Sequence, residues 1–305
     1  MTSRPALMLL LAATVATSGC ASLRGRSTAR TTRRVLPATA TCEQVVAEVN
    51  RNVLGDGSRP GLASWRSDHA RVSITGLPVS LQTSIAVEAP RSLRIRVAGP
   101  MGGNAMDLGS NGDEFWLWSK EADPTSLLVG RHGEAMDPRL AEVMPFEPEW
   151  LLDVMGVTPM SPTDVRMTGG GDTVQLVTDH TTPSGLRVEK VKRVSLVTGE
   201  ILGHELREPD GRTIAKAEVR RQYRCPQTGL LLPEEVRVIW PDYAREMKIR
   251  IGRHDINPVQ MTAATFKKPL RPNWQVVEMT RPSTGTIHQT ADVSAPAVAD
   301  SPFEF

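Results

Sequence analysis

The chain of 305 residues is poor in aromatic residues and cysteines, and it carries no strong charge of either sign. Aromatic residues make up 4% of it, and it has 3 cysteines. The formal net charge is only +2, and much of the positive excess lies close to the N-terminus. The rest of the chain therefore lacks the basic surface that nucleic-acid binding requires, and we expect no nucleic-acid partner.

Motifs for catalysis and metal binding are also missing. There is no nucleophile elbow, no P-loop and no dinucleotide-binding glycine pattern. Cysteines and histidines show none of the close spacings typical of zinc sites. His204 and His254 each precede an acidic residue, but neighbours on a strand point to opposite faces. We therefore expect no enzyme, no cofactor and no metal, although a hydrolase with an unrecognised site stays as an alternative.

The first twenty residues have the pattern of an export signal. Arg4 is followed by an apolar run over residues 6–16, which is too short to span a bilayer but suits a secretory signal. Small residues then lead to Cys20, as in the lipobox of bacterial lipoproteins. We predict a signal peptide over residues 1–19 and lipid attachment at Cys20. The alternative is an ordinary signal peptide that is cleaved near Ala21 or later.

Composition divides the rest of the chain into three parts. Residues 20–41 are rich in Arg, Ser and Thr, which is typical of a flexible tether. Residues 42–269 are long enough for one β-rich domain, and residues 270–305 read as a disordered tail. Because no Asp follows Cys20, we expect anchoring at the outer membrane, facing the periplasm.

Within residues 42–269 the hydrophobic pattern alternates with a period of two over about eleven segments separated by turn residues. This pattern predicts an antiparallel meander that is mainly β. Two short helices are predicted, one at 42–53 and one at 148–156. Such a sheet can close over its own side chains or stay open around a cavity. Cys42 and Cys225 can pair across a long loop in an oxidising compartment, or they can stay free.

The segment Arg94–Trp118 combines two alternating strands with a glycine-rich turn. Met101 stands at the tip of that turn, where an apolar side chain has no partner in the hairpin itself. On the following strand Trp116 and Trp118 share one face, whereas Phe115 and Leu117 share the other. Alternation does not tell which of the two faces lines the interior.

Three segments, together with the lipobox and the basic tether, resemble the LolB lipoproteins and the related LolA carriers. The segments are LRIRVAGPMGGNAMDL, EPEWLLDVMGV and LLPEEVRVIW. The resemblance implies an open, twisted antiparallel half-barrel with helices in its mouth and a hydrophobic cavity for acyl chains. It also implies that Met101 engages the membrane. An arginine near the mouth handles cargo in LolA-like carriers; Arg91, Arg94 and Arg96 all compete for that position.

The resulting prediction is a lipoprotein that binds acyl chains of lipoproteins or lipids and hands them to the outer membrane. Its expected partners are these acyl chains, the membrane and a periplasmic carrier protein. The alternative is a non-catalytic lipoprotein that senses or binds other envelope proteins on the same fold. The residues predicted to line the cavity are Leu93, Ile95, Val97, Trp116, Trp118, Trp150, Leu151, Met155 and Trp240.

Overall fold

Antiparallel hairpins dominate the computed structural model. It describes residues 34–120, 126–137, 148–182, 185–259, 261–272 and 274–281. The predicted signal peptide, Cys20, most of the tether and the last part of the tail lie outside these residues.

Two α-helices and 17 strands are present in this part of the chain, with two short 3-10 helices. The helices are α1 (Cys42–Leu54) and α2 (Pro148–Val154), and the 3-10 turns are Pro241–Tyr243 and Ala263–Phe266. The first seven strands are β1 (Ser64–Ile74), β2 (Leu81–Glu88), β3 (Ser92–Ala98), β4 (Asn104–Ser110), β5 (Glu114–Ser119), β6 (Ser126–Arg131) and β7 (Ala135–Met136). After α2 come β8 (Val165–Gly170), β9 (Thr173–Thr181), β10 (Arg187–Ser195), β11 (Ile201–Arg207), β12 (Thr213–Arg224), β13 (Leu231–Trp240), β14 (Arg245–Ile251), β15 (Asp255–Ile256), β16 (Gln275–Glu278) and β17 (Thr280–Arg281).

One large sheet contains 15 of these strands, and β7 pairs with β17 in a second, small sheet. The order across the large sheet is β16-β6-β5-β4-β3-β2-β1-β14-β13-β12-β11-β10-β9-β8, with β15 on β1. Among the described strands the two ends, β16 and β8, do not pair with each other. The predicted fold, an open and mainly β half-barrel, is confirmed.

The structure has more strands than the eleven expected. All the long alternating segments form strands, and the additional ones are short or lack alternation. β7, β15 and β17 have two residues each, which is below the length at which a pattern is visible. β8 ends in two glycines, so its sequence looks like a turn.

Helix α1 begins at a capping box. The Thr41 hydroxyl accepts a hydrogen bond from the Gln44 N–H, and the Gln44 side chain accepts one from the Thr41 N–H. Val45, Val46 and Val49 are the buried face. They belong to a second core cluster, separate from the central one, together with residues of β9 and β10.

The domain begins before residue 42. The Leu36 side chain is buried in the same cluster as α1, and the Leu36 N–H donates to the Leu196 carbonyl at 3.0 Å. The boundary of the predicted tether at residue 41 is therefore wrong at its C-terminal end. A single apolar residue such as Leu36 in a segment rich in Arg and Thr gives no periodic pattern, so its burial cannot be predicted from the sequence.

Helix α2 fills the centre of the half-barrel. Trp150, Leu151, Leu152 and Val154 are buried in the central core, so the helix is covered on more than one side, as its composition predicts. The indole N–H of Trp65 donates to the Met155 carbonyl at 3.1 Å, which fixes the chain just after the helix. We call the sheet face that bears this core the inner face.

The predicted disordered tail is ordered where it begins. β16 pairs in parallel with β6, from Gln275 opposite Ser126 to Glu278 opposite Val129. Trp274 stacks on Trp118, with ring centroids 4.7 Å apart. The prediction of disorder is wrong for residues 274–281, because the strand is held by remote partners and carries no alternation of its own.

The described residues from Arg34 onward form one compact unit. All strand pairs described above lie within it, so this unit contains its own sheet and its own core. A protein comprising residues 34–305 is therefore suited to experiments in solution. No helix in the described ranges is long and apolar enough to cross a membrane.

Candidate functional site

The predicted cavity residues divide between the two faces of the sheet. On the inner face, the following are packed into the central core: Leu93, Ile95, Val97, Trp150, Leu151, Met155 and Trp240. The centre of the half-barrel is thus filled by the protein's own side chains. Trp116 and Trp118 are buried in a separate cluster with Leu127, Val129 and Trp274.

Assigning Trp116 and Trp118 to the inner cavity is therefore wrong. Phe115 and Leu117, which alternate with them, belong to the central core. The indole N–H of Trp116 donates to Asp107 at 3.1 Å, and the Asp107 carboxylate also pairs with Arg94 at 2.7 Å. The side chain of a buried tryptophan points to the face where its N–H finds an acceptor. The alternating pattern does not show where that acceptor lies.

An open cleft lies beside the filled centre, between the first turn of α2 and the rims of the sheet. Its volume is about 630 Å³, within the 300–1,000 Å³ range typical of small-molecule sites. We call it the side cleft. Its apolar floor is formed by Phe115, Met136, Trp150, Val188, Leu206 and Ile214. Charged side chains surround it, among them Arg91, Glu134, Glu149, Lys190, Glu208 and Arg212.

Of the predicted cavity residues, Trp150 lines the side cleft. Phe115, Val188, Leu206 and Ile214 also line the cleft, but they were not among the residues predicted from the sequence. The strands that carry these residues alternate clearly between apolar and polar side chains. Which face of each strand lines the cleft, however, depends on which strands face each other across it. Alternation within one strand cannot supply that information.

A serine, a histidine and a glutamate meet at the rim of the side cleft. His132 Nδ1 lies 2.8 Å from Glu149 Oε1, and His132 Nε2 lies 3.1 Å from the Ser110 hydroxyl. The same Nε2 is 3.0 Å from the Asn111 carbonyl, which can only accept, so Nε2 carries a proton. The buried Ser110 hydroxyl donates to the Arg91 carbonyl at 2.7 Å. This arrangement is a structural tie and leaves no lone pair on Nε2 to activate a nucleophile.

Glu149 is the charged partner in this tie. Burial raises the pKa of its carboxyl, but the hydrogen bond and charge of His132, with a smaller contribution from Arg91, outweigh burial and hold the pKa below its usual value of 4.5. Because His132 belongs to the turn after β6, this ion pair joins α2 to the opposite rim of the cleft.

Arg91, Arg94 and Arg96, the three candidates for the arginine near the mouth, have different environments. Arg91 lies at the side cleft, with its Nε 3.5 Å from Glu149. Arg94 is tied to Asp107 and also donates to the Thr265 carbonyl at 3.0 Å. Arg96 is exposed and donates to the Ser84 hydroxyl at 3.3 Å. Of the three, Arg91 is the arginine that lines the side cleft.

Met101 is at the tip of the β3–β4 hairpin, and 96% of its surface is exposed. The turn is closed by the Gly99 N–H, which donates to the Gly103 carbonyl at 2.9 Å. Gly102 and Gly103 follow with φ of 87° and 77°, a region that glycine adopts at little cost. The glycines thus form the turn that projects Met101 into solvent.

Cys42 and Cys225 are both free, which is one of the two alternatives that the sequence left open. The Cys42 thiol contacts the Val165 carbonyl at 3.7 Å, beside β8. The Cys225 thiol contacts the Gln227 side chain at 3.1 Å within its own turn. Each thiol thus has its own polar contact, remote in sequence for Cys42 and local for Cys225. In the ranges that the structure describes, no group of three or more His, Cys, Asp or Glu residues is placed to hold a metal ion.

Comparison with known proteins shows a likeness in structure. The sequence matches no protein-family model and no curated protein. A DUF1329 family protein from Desulfovibrio piger is similar in structure, with a TM-score of 0.51 and 14% identity over 74% of this chain and 95% of that chain. A putative outer membrane lipoprotein-sorting protein domain from Vibrio parahaemolyticus has a TM-score of 0.49 and 8% identity over 74% and 97%. A LolA superfamily protein from Nitrosomonas europaea has a TM-score of 0.45 and 9% identity over 75% and 98%.

The first of these likenesses shows that the two proteins share a fold. The open half-barrel that the resemblance to LolB and LolA implied is confirmed as the fold of this chain.

Proposed function

We propose that the protein binds acyl chains of lipoproteins or lipids in the side cleft and hands them to the outer membrane. A lipid on Cys20 would hold it there, facing the periplasm. The observation that carries the proposal is the side cleft itself, an open space with an apolar floor beside a fully packed core.

The floor of the side cleft suits a hydrocarbon chain. Phe115 and Leu206 belong to the central core and expose only 4% and 6% of their surface, whereas Met136 and Ile214 are half-buried and offer more apolar surface to a chain. Each methylene that leaves water for such a surface contributes about 0.8 kcal/mol, so ten buried methylenes contribute about 8 kcal/mol before the costs of association. No covalent chemistry is needed for binding of this kind.

The rim of the side cleft suits the polar end of a lipid. Arg91, Lys190 and Arg212 line the side cleft together with Glu134, Glu149 and Glu208. Charged groups stay in contact with water at this rim, whereas an acyl chain reaches the floor. A lipid would thus bind with its chain inside and its head group outside.

Transfer to the membrane would involve Met101. An exposed methionine at a hairpin tip can enter the head-group region, where the bilayer offers the acyl chain an equally apolar destination. A periplasmic carrier protein would supply the cargo. We propose no catalytic step, because the Ser110–His132 contact lacks a free base.

Uptake of a fluorescent fatty acid by the 34–305 unit tests this proposal. Ile214→Gln places an amide on the cleft floor and should weaken uptake at least tenfold. Val276→Gln is the matched control, because Val276 is 49% exposed and lies outside the cleft. Equal uptake by both variants would place the fatty acid elsewhere. No uptake by the unchanged unit would favour the alternative, a lipoprotein that binds other envelope proteins.

A further inference from the structure

The hairpin turn next to that of Met101 carries a second exposed apolar residue. Residues 75–80 connect β1 to β2, and residues 99–103 connect β3 to β4. Val79 in the first of these turns is 48% exposed, and Met101 in the second is 96% exposed. In each turn the apolar residue directly follows a proline. The two turns thus carry the same short pattern, and we call them the paired tips.

The pairing of β2 with β3 brings the paired tips together. The last pair on this side is Thr83 opposite Val97. Continued towards the turns, the same register places Val79 level with Met101. Backbones of neighbouring strands lie about 5 Å apart, so the two turns project side by side from the same end of the sheet.

The first of the paired tips is held in shape by its own hydrogen bonds. The Leu77 N–H donates to the Ile74 carbonyl at 3.0 Å, and the hydroxyls of Ser73 and Ser80 lie 2.9 Å apart across the turn. A proline before the apolar residue also restricts the backbone. A contact made by such a turn loses little conformational entropy, because its shape is already set.

No charged residue occurs in either of the paired tips, although charged residues make up 23% of the chain. Ile74, Leu81 and Met106 flank the turns, and they are half-buried against the central core. The acidic residue beside the first turn, Glu246, is paired with Arg237. The paired tips can therefore enter an apolar environment without removing a charged side chain from water.

Basic side chains stand behind the paired tips. Arg71 and Arg96 are exposed, and they lie on the outer face because they alternate with core residues of β1 and β3. Lys120 is exposed at the end of β5, where its N–H donates to the Ala105 carbonyl at 2.8 Å. None of the three has an acidic partner in the part of the chain that the structure describes. Their charges are thus available to an anionic surface.

We propose that the paired tips form one membrane-docking surface, which inserts Val79 together with Met101 into the head-group region of a bilayer. Arg71, Arg96 and Lys120 then face anionic head groups. An uncharged apolar tip with basic residues behind it matches the chemistry of such a bilayer, apolar below the head groups and negative at its surface. This inference rests on the membrane contact proposed for Met101, and it does not depend on acyl-chain binding in the side cleft.

Co-sedimentation of the 34–305 unit with vesicles of phosphatidylcholine and phosphatidylglycerol tests the proposal. This unit lacks Cys20, so a lipid anchor cannot contribute. Val79→Glu should lower the affinity for vesicles at least about fivefold, because it replaces an inserted apolar side chain with a carboxylate. Val276→Glu is the matched control, since Val276 is 49% exposed and lies on β16.

The basic residues have a test of their own. Lys120→Gln should lower the affinity for vesicles that contain phosphatidylglycerol about fivefold, because one basic residue near an anionic surface contributes about that factor. With vesicles of phosphatidylcholine alone, the variant should bind as the unchanged unit does.

Brominated phosphatidylcholine shows directly whether the first turn enters the bilayer, because it quenches an indole that is inserted among its acyl chains. Val79→Trp should gain quenched fluorescence over the unchanged unit, whereas Val276→Trp should gain none. This measurement also decides the matter if Val79→Glu fails to fold.

Three results would overturn the proposal. One is the absence of vesicle binding by the unchanged unit, and another is an equal loss of binding in Val79→Glu and Val276→Glu. The third is a loss in Met101→Glu with none in Val79→Glu, since Met101 would then act alone. Val79→Glu should still take up the fluorescent fatty acid, so failure of the acyl-chain proposal and failure of membrane docking give different results.

Discussion

The indole ring of Trp116 lies across Gly109, the residue directly opposite it on the neighbouring strand. A Cβ at Gly109 would come within 2.1 Å of the ring. On the other side of β5, Phe115 covers Gly130 in the same way, at 2.3 Å. The two aromatic side chains of β5 thus pack on opposite faces of the sheet, each over a glycine that leaves room for it.

Gly109→Ala should destabilise the protein. The added methyl group clashes with a buried ring whose N–H is tied to Asp107, and overpacking of this kind costs about 1–3 kcal/mol. Gly112→Ala is the matched control, because nothing lies within 4 Å of a Cβ there. Thermal unfolding of the 34–305 unit measures both, and equal melting temperatures would show that the ring is free to move away.

Glu149→Gln should weaken the tie between α2 and the turn after β6. The pKa of Glu149 is held below 4.5, so its carboxylate form stabilises the fold above that pH, and this contribution is lost as the pH falls through the lowered pKa. The variant should lose about 1–2 kcal/mol near pH 7, and the difference should vanish in acid.

Urea unfolding at pH 7 and at a pH below the lowered pKa of Glu149 measures this effect. Asp255→Asn is the control, since the Arg66–Asp255 pair has side chains 40% and 51% exposed, and an exposed pair contributes less than about 1 kcal/mol. A loss for Glu149→Gln that is as large in acid as at pH 7 would show that the carboxylate charge is not the cause.

Met101→Glu should leave folding intact and weaken membrane contact. The side chain is 96% exposed, and surface substitutions of this kind change stability by less than about 0.5 kcal/mol. Co-sedimentation of the 34–305 unit with phosphatidylcholine vesicles measures the contact, and Met101→Leu serves as the apolar control. Unfolding of Met101→Glu would show that the residue is part of a core.

Truncation after residue 269 should destabilise the domain, whereas truncation after residue 281 should leave its stability unchanged. The shorter protein loses Trp274, which covers Trp118, and it loses β16 from the edge of β6. It also loses Met279, which is fully buried in the central core, and removal of a buried methionine side chain typically costs about 2–5 kcal/mol. Equal unfolding temperatures for units 34–269 and 34–281 would mean that the last strands contribute little to stability.

Much of the fold could be predicted because it is local. Strand β3 alternates Leu93, Ile95 and Val97 with two arginines, and the capping box at Thr41 starts α1 where the sequence indicates. The exposed tip at Met101 also follows from its glycines. Each of these features depends on residues that are close together in sequence.

The candidate site could not be predicted in the same way, because it depends on remote contacts. Val188 and Leu206 become cleft residues only when their strands come to face Phe115 and α2. Trp116 is held on the outer side by Asp107, and β16 forms only against β6. Which face of a strand is buried, which strand lies at an edge and which residues line a cavity are properties of the assembled sheet. A period of two within one strand therefore fits either face pointing inward.

Native mass spectrometry of the 34–305 unit, purified from cells without detergent, tests the central proposal most directly. We expect co-purified lipid or acyl species that are bound to the unit and largely lost in Ile214→Gln, while Val276→Gln retains them. A clean, ligand-free mass for the unchanged unit, together with failure to take up a fluorescent fatty acid, would contradict acyl-chain binding in the side cleft.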